Sequence, residues 1–254
     1  MAKKYKGKLS FQQLSDGINL CLENAQALVK EARLLLEHQH FARATTLAIV
    51  AMEELGKVHI LLAMAQIHPK NQKLWSVKWG MFYGHQKKTL SSFIDLIPDS
   101  FPVGSRIATS TRFAPEYVSL QEDLRKISLY VDYLAEKQTW VSPLLIKREE
   151  ASGIVESAEK AVQRLSAIRD TGIFAEKALQ IQHEETCFLT ENLLKNGQLD
   201  LGEARKIAGA APEAVRRYFC RLLKEADVRF PDDMKINGVN WREFVGIPGT
   251  GEKA

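Results

Sequence analysis

The chain has 254 residues, 45% of them apolar and 26% charged, with a formal net charge of +4. That balance is ordinary for a globular fold and too weakly basic to single out nucleic acid as the partner; the length allows one large domain or one domain with an appendage. Three cysteines, Cys21, Cys187 and Cys220, stand far apart with no C-x-x-C spacing, which argues against a disulfide framework or a cysteine zinc site and fits a reducing cytoplasm.

The opening MAKKYKGKLS is basic, but no apolar run follows it, and neither secretion nor membrane insertion is expected. Ser10 and Gln13 make a capping box, and Phe11, Leu14, Ile18, Leu22, Ala25, Leu28, Ala32 and Leu35 recur at three- and four-residue spacing. One long helix to about His38 is predicted. A short break near His40-Phe41 then makes an antiparallel hairpin with a second helix, whose centre is the stretch Arg43 to Gln66.

This second helix is the longest apolar segment of the chain. Ala44, Ala51, Leu55, Val58 and Leu62 centre one face, and Ile49, Val50, Ile60, Leu61 and Met64 surround the other. A helix apolar all round is a buried one, yet Glu53, Glu54 and Lys57 lie in its middle. Burying such charges unpaired costs several kcal/mol, so partners are required. An i,i+4 pair between Glu53 and Lys57 satisfies one acid and leaves Glu54 over, with His85, Lys88 and Arg125 further along the chain as its candidate partners.

The chain turns at His68-Pro69, and a third helix is predicted from about Leu74 to Ile97, carrying Trp75, Trp79, Phe82 and Tyr83 together with His85, Lys87 and Lys88. PDSFPVGS and the Thr/Ser-rich run to Phe113 read as a functional loop. Pro115 opens a fourth helix through Leu120, Leu124, Ile127, Tyr130, Val131 and Leu134, which ends before Trp140. A fifth covers about Lys147 to Arg169 and a sixth Ile173 to Leu194. Two shorter helices, LGEARKIA and PEAVRRYFCRLLKEA, follow, and beyond Val228 an irregular tail holds Phe230, Trp241, Phe244 and Ile247, apolar enough to dock. No segment reads as a strand. The fold class is therefore all-α: an antiparallel helical bundle over residues 1–170, a helical extension over 171–227 and a docked irregular tail over 228–254.

Three polar clusters interrupt apolar helices: Glu53-Glu54-x-x-Lys57, His85-x-x-Lys88, and Arg125 with Tyr130 and Asp132. In a bundle they can converge at mid-height. They then form either a salt-bridge network that fixes helix register, or an active site in which Lys and Arg bind phosphate while His or Tyr handles a proton. Glu37-x-x-His40 has the spacing of a di-iron ligand pair, but no second such motif follows and lysines crowd the acids, so no metal and no cofactor is expected. The C-terminal pair, with Arg216, Arg217, Arg221 and Lys224, reads as a solvated basic face or, alternatively, as a helix-turn-helix nucleic-acid binder.

Ala42-Arg43-Ala44 through Leu47-Ala48 to Glu53-Glu54-Leu55-Gly56-Lys57, then His85-x-x-Lys88, then Leu129-Tyr130-Val131-Asp132 with Pro143 downstream, resembles the AbiV-type abortive infection proteins of the HEPN superfamily over about residues 10 to 165. The resemblance implies a HEPN-like bundle, usually a homodimer, in a bacterial anti-phage protein that arrests growth or translation. Many HEPN proteins are metal-independent ribonucleases with an R-x4-6-H motif, in which Arg steadies the scissile phosphate and His moves a proton at the RNA 2′-OH. Here Tyr130 stands at the histidine position after Arg125, and a tyrosine with an ordinary pKa of about 10 is a poor base at neutral pH. The only literal match is Arg33-x4-His38, also Arg33-x6-His40, at a helix end where both residue types favour the dipole anyway. His85, from a neighbouring helix, is the candidate imidazole. The catalytic set expected on this basis is His85, Arg125 and Tyr130, with Glu53, Glu54, Lys57, Lys88 and Asp132 forming the polar, phosphate-binding surround and RNA or a phage protein as partner. The rival expectation is a non-catalytic helical protein that binds a phage or translation component.

Overall fold

The computed structural model describes residues 4–67, 71–96, 103–134, 138–195, 235–236 and 239–240. Among them are seven α-helices: α1 (Phe11–Glu37), α2 (Phe41–Ala65), α3 (Gln72–Tyr83), α4 (His85–Ser92), α5 (Val103–Leu129), α6 (Arg148–Asp170) and α7 (Glu176–Lys195). Two short antiparallel strand pairs accompany them, β1 (Asp132–Leu134) with β2 (Thr139–Val141), and β3 (Lys235–Ile236) with β4 (Val239–Asn240). The chain divides into two compact units, Met1–Phe101 with Thr109–Cys187, and Pro102–Ala108 with Phe188–Ala254. The bundle and its polar cluster belong to the first, and the protein is all-α in class.

α1 starts as its sequence dictates. The Ser10 hydroxyl accepts from the Gln13 amide at 3.1 Å, and the Gln13 side chain accepts from the Ser10 amide at 2.9 Å. The chain reverses at His38-Gln39-His40, where Gln39 takes the left-handed conformation with φ 63, and α2 returns along α1. Leu14, Ile18, Leu22, Ala25, Val29 and Ala32 are the buried stripe of α1. α2 packs on α1, α4 and α6 together, which is why its apolar residues run all the way round. Ala44, Ala48 and Ala51 are fully buried on it, and their small side chains let neighbouring helices approach. α6 contributes Ala151, Val155, Ala158, Ala161, Val162 and Leu165, and an ion pair between Arg33 and Glu159 ties it to α1.

Several expectations are corrected. The single helix predicted from Leu74 to Ile97 is two: Gly84 has extended backbone (φ −93, ψ 123), so α3 stops at Tyr83 and His85 begins α4. α4 passes into a 3-10 turn at Phe93–Leu96. The Thr/Ser-rich stretch expected as a loop is the first half of α5, which starts at Val103, so Pro115 sits inside the helix instead of opening it. α5 ends at Leu129, and the residues expected to extend it form a strand ribbon. Tyr133 and Trp140 pair across that ribbon with ring centroids 5.3 Å apart, and a strand is present where none was predicted. The loop residues 98–102 and the two short helices expected over 201–226 lie outside the described residues, as does the tail apart from β3 and β4. Among the described residues no helix is long and apolar enough to cross a membrane.

Candidate functional site

Glu53 is the centre of the polar cluster. It is buried at mid-length of α2 and faces α4, where two residues one turn apart reach it. Lys88 Nζ lies 2.8 Å from Glu53 Oε2, and His85 Nδ1 lies 2.8 Å from Oε2 and 3.1 Å from Oε1. Lys88 is itself buried, whereas the His85 side chain is 58% exposed. A carboxylate only accepts, so Nδ1 carries the proton. In the neutral ring the lone pair is then on Nε2.

The close approach of α4 has a specific cause. A Cβ placed on Gly56 would lie 2.0 Å from the Lys88 carbonyl oxygen and 2.6 Å from its carbon. Gly56 is three residues from Glu53 and shares its face, so the missing side chain is what lets the α4 backbone come down onto α2 beside the carboxylate.

Glu54, expected to meet His85, Lys88 or Arg125, is held by Lys57 instead. Lys57 Nζ lies 2.5 Å from Glu54 Oε1, an i,i+3 pair, and sits 5.5 Å from the centroid of the Phe82 ring. The expected Glu53–Lys57 pair is thus replaced by Glu54–Lys57, because α4 claims Glu53. On α1, Cys21 lies close enough to feel Glu54; burial first, and that carboxylate second, push its thiol up to about 12. Cys21 is therefore an inert, protonated thiol.

α5 meets α2 near its own C-terminal end. The Ser128 and Thr46 hydroxyls meet at 2.8 Å, which fixes α5 against α2. Arg125 forks onto Glu122 of its own helix, Nε to Oε2 at 3.2 Å and Nη2 to Oε1 at 3.0 Å, and Lys126 Nζ stands 3.5 Å from the same carboxylate. The bond to Glu122 holds the guanidinium more firmly charged than usual, with the charges of Glu53 and Tyr130 adding to the effect. Tyr130 and Asp132 lie past the end of α5 and are exposed; Asp132 Oδ1 accepts from the Tyr133 amide at 2.8 Å and starts the ribbon. Between α4 and α5 runs an open groove of about 490 Å³, lined by Gln86, Lys87, Glu122, Asp123 and Lys126 among others.

The Glu122 carboxyl is held below the usual carboxylate range, chiefly by the bond from Arg125. A depressed acid stabilises the fold above its unfolded pKa, and that contribution is lost as pH falls through the folded value. Glu122→Gln is expected to lower stability by about 1 kcal/mol at pH 7, and the deficit is expected to shrink towards pH 3. Urea midpoints of both proteins at the two pH values check this; a deficit that grows with acid contradicts it.

One pair escaped the sequence reading. His59 Nε2 of α2 meets Asp95 Oδ2 of the 3-10 turn at 2.7 Å, and Arg164 Nη1 donates to the Asp95 carbonyl at 2.5 Å. Burial and the Asp95 charge push the Tyr117 hydroxyl well above the usual tyrosine range. A histidine in the middle of an apolar helix was the available signal. The literal R-x4-H match is structural: Arg33 is held by Glu159, and His38 Nδ1 is 2.8 Å from the Leu34 carbonyl of its own last turn. Among the described residues no group of three or more His, Cys, Asp or Glu side chains is arranged to hold a metal ion.

Neither the curated proteins nor the solved structures compared with the chain gave a match. The family model of AbiV, a HEPN family, matches residues 13–163. That span runs from the first turn of α1 into the last third of α6 and takes in Glu53, Gly56, His85, Arg125 and Tyr130. The chain belongs to the AbiV family of HEPN proteins.

Proposed function

We propose that this protein is an abortive-infection effector that arrests growth or translation in phage-infected bacteria by cutting RNA, acting in the cytoplasm as a homodimer. Family membership supports the defence role. The observation that carries the chemistry is His85, fixed at Nδ1 by a buried carboxylate while most of its imidazole stays open to solvent. In this reading Nε2 takes the proton of an RNA 2′-OH. Arg125 binds the adjacent phosphate with the three N–H groups it does not spend on Glu122. Lys88 and Lys57 are committed to Glu53 and Glu54 and serve as positioning residues. Tyr130, exposed just past the end of α5, would in the same reading touch the edge of the substrate.

Purified protein incubated with total bacterial RNA is expected to cleave it, and His85→Ala to lower the rate about a hundredfold or more, the range of a lost general base. RNA left intact by the wild-type protein under every condition overturns the ribonuclease reading.

A second reading, a non-catalytic binding protein, is favoured by one surface. Tyr130, Val131, Tyr133, Trp140, Leu144 and Leu145 are all exposed within sixteen residues of chain, and aromatic and aliphatic anchors of this kind are what protein interfaces bury. Loss of phage protection on Trp140→Ala with RNA intact throughout would favour it.

A further inference from the structure

A second arrangement with the parts of a nucleophile and its base lies at the other end of α2, away from the Glu53 cluster. His183 of α7 has Nδ1 2.8 Å from the carbonyl oxygen of Ala65, the last residue of α2, and Nε2 3.4 Å from Cys187 Sγ one turn further along α7. A carbonyl only accepts, so Nδ1 carries the proton and Nε2 offers its lone pair to the thiol. The Phe11 ring packs on the imidazole at 5.2 Å between centroids, and Thr186 bonds Gln66 at 2.7 Å, so the histidine is held in place from two sides. Nucleophile, base and a third group orienting the base are all present, and Cys187 is only partly buried.

We propose that Cys187 is a reactive thiol, activated by His183, and a site of modification by low-molecular-weight disulfides. The Cys187 proton passes to His183 Nε2. The thiolate then attacks one sulfur of the disulfide, forming a mixed disulfide as the original S–S bond breaks. The departing thiolate takes the proton from His183, so one thiol is oxidised and one released. Cys21, partly buried near Glu54 with its thiol pushed up to about 12, is the internal control.

The test is reaction of the full chain with 5,5′-dithiobis(2-nitrobenzoate) and with glutathione disulfide from pH 5 to 10, each cysteine followed by peptide mass spectrometry. Cys187 is expected to react with a rate midpoint clearly below the ordinary thiol pKa of about 8.5, and at pH 6.5 roughly fivefold faster than an unactivated thiol once the lower nucleophilicity of a more acidic thiol is counted. His183→Gln is expected to move that midpoint up to the ordinary value while leaving the rate at pH 10 unchanged. A wild-type midpoint at or above 8.5 overturns the proposal without any variant, so it stays decidable even if circular dichroism shows that His183→Gln unsettles α7. An unchanged profile in a folded His183→Gln overturns it as well.

Discussion

Gly56→Ala is expected to lower the stability of the bundle by about 3 kcal/mol, read as a fall in melting temperature of roughly 10 °C. The added Cβ would meet backbone, the Lys88 carbonyl at 2.0 Å, and a helix backbone cannot swing aside as the tip of a flexible side chain can. Relief requires α4 to back away from α2, which draws His85 and Lys88 off Glu53. The variant is therefore also expected to lose whatever activity depends on that contact, even at a temperature where it stays folded. A melting temperature within a degree of wild type would mean that the two helices are not seated as described.

The second large effect is expected from Glu53→Gln. The amide keeps the shape of the side chain but leaves the buried Lys88 ammonium without a carboxylate, and breaking a buried pair from one side costs about 3 to 5 kcal/mol. Removing both charges is different: Lys88→Met in the Glu53→Gln background is expected to restore most of the loss, because two neutral side chains of similar volume need no solvation. A double-mutant cycle in urea measures this coupling. Additive losses from the two single changes would show that the pair is solvated and not sealed. His85 supplies a separate readout, since without a carboxylate at Nδ1 its tautomer is no longer fixed, and the double variant is expected to regain stability without regaining whatever activity depends on His85.

Where local chemistry decides the structure, the residues announced it. The Ser10–Gln13 box set the start of α1, and the three-four spacing from Phe11 carried it to within a residue of its end. α6, predicted over Lys147 to Arg169, runs from Arg148 to Asp170. Packing decided the rest. Gly84 lies in a run of helix-compatible residues, and nothing local distinguishes a tolerated helical glycine from the extended break that puts His85 at the head of α4. The polar, proline-containing stretch before Glu116 looks like a loop by composition but is helical in the fold. The β1–β2 ribbon has three residues per strand, too few for an alternation to register.

The candidate site was half legible. That an acid of α2 would meet His85 and Lys88 followed from the need of a buried acid for cations, although the sequence left Glu54 for them and the fold uses Glu53. Which acid goes where did not, because adjacent residues on a helix point about 100° apart and only the approach of α4 chooses between them. Gly56, on the face of Glu53, was the residue that encoded the choice.

The buried carboxylate has a bearing on how the chain assembles. Only three residues separate α1 from α2, so closing their hairpin costs little loop entropy and it is expected to form before α4 and α6 arrive. Until α4 docks, the flanks of α2 are a sticky apolar surface with a hydrated charge in the middle. Any collapsed arrangement that covers α2 without delivering Lys88 to Glu53 strands that charge in a dry interior and is unstable for it. The acid thus acts as a proofreader of assembly, admitting one partner helix in one register.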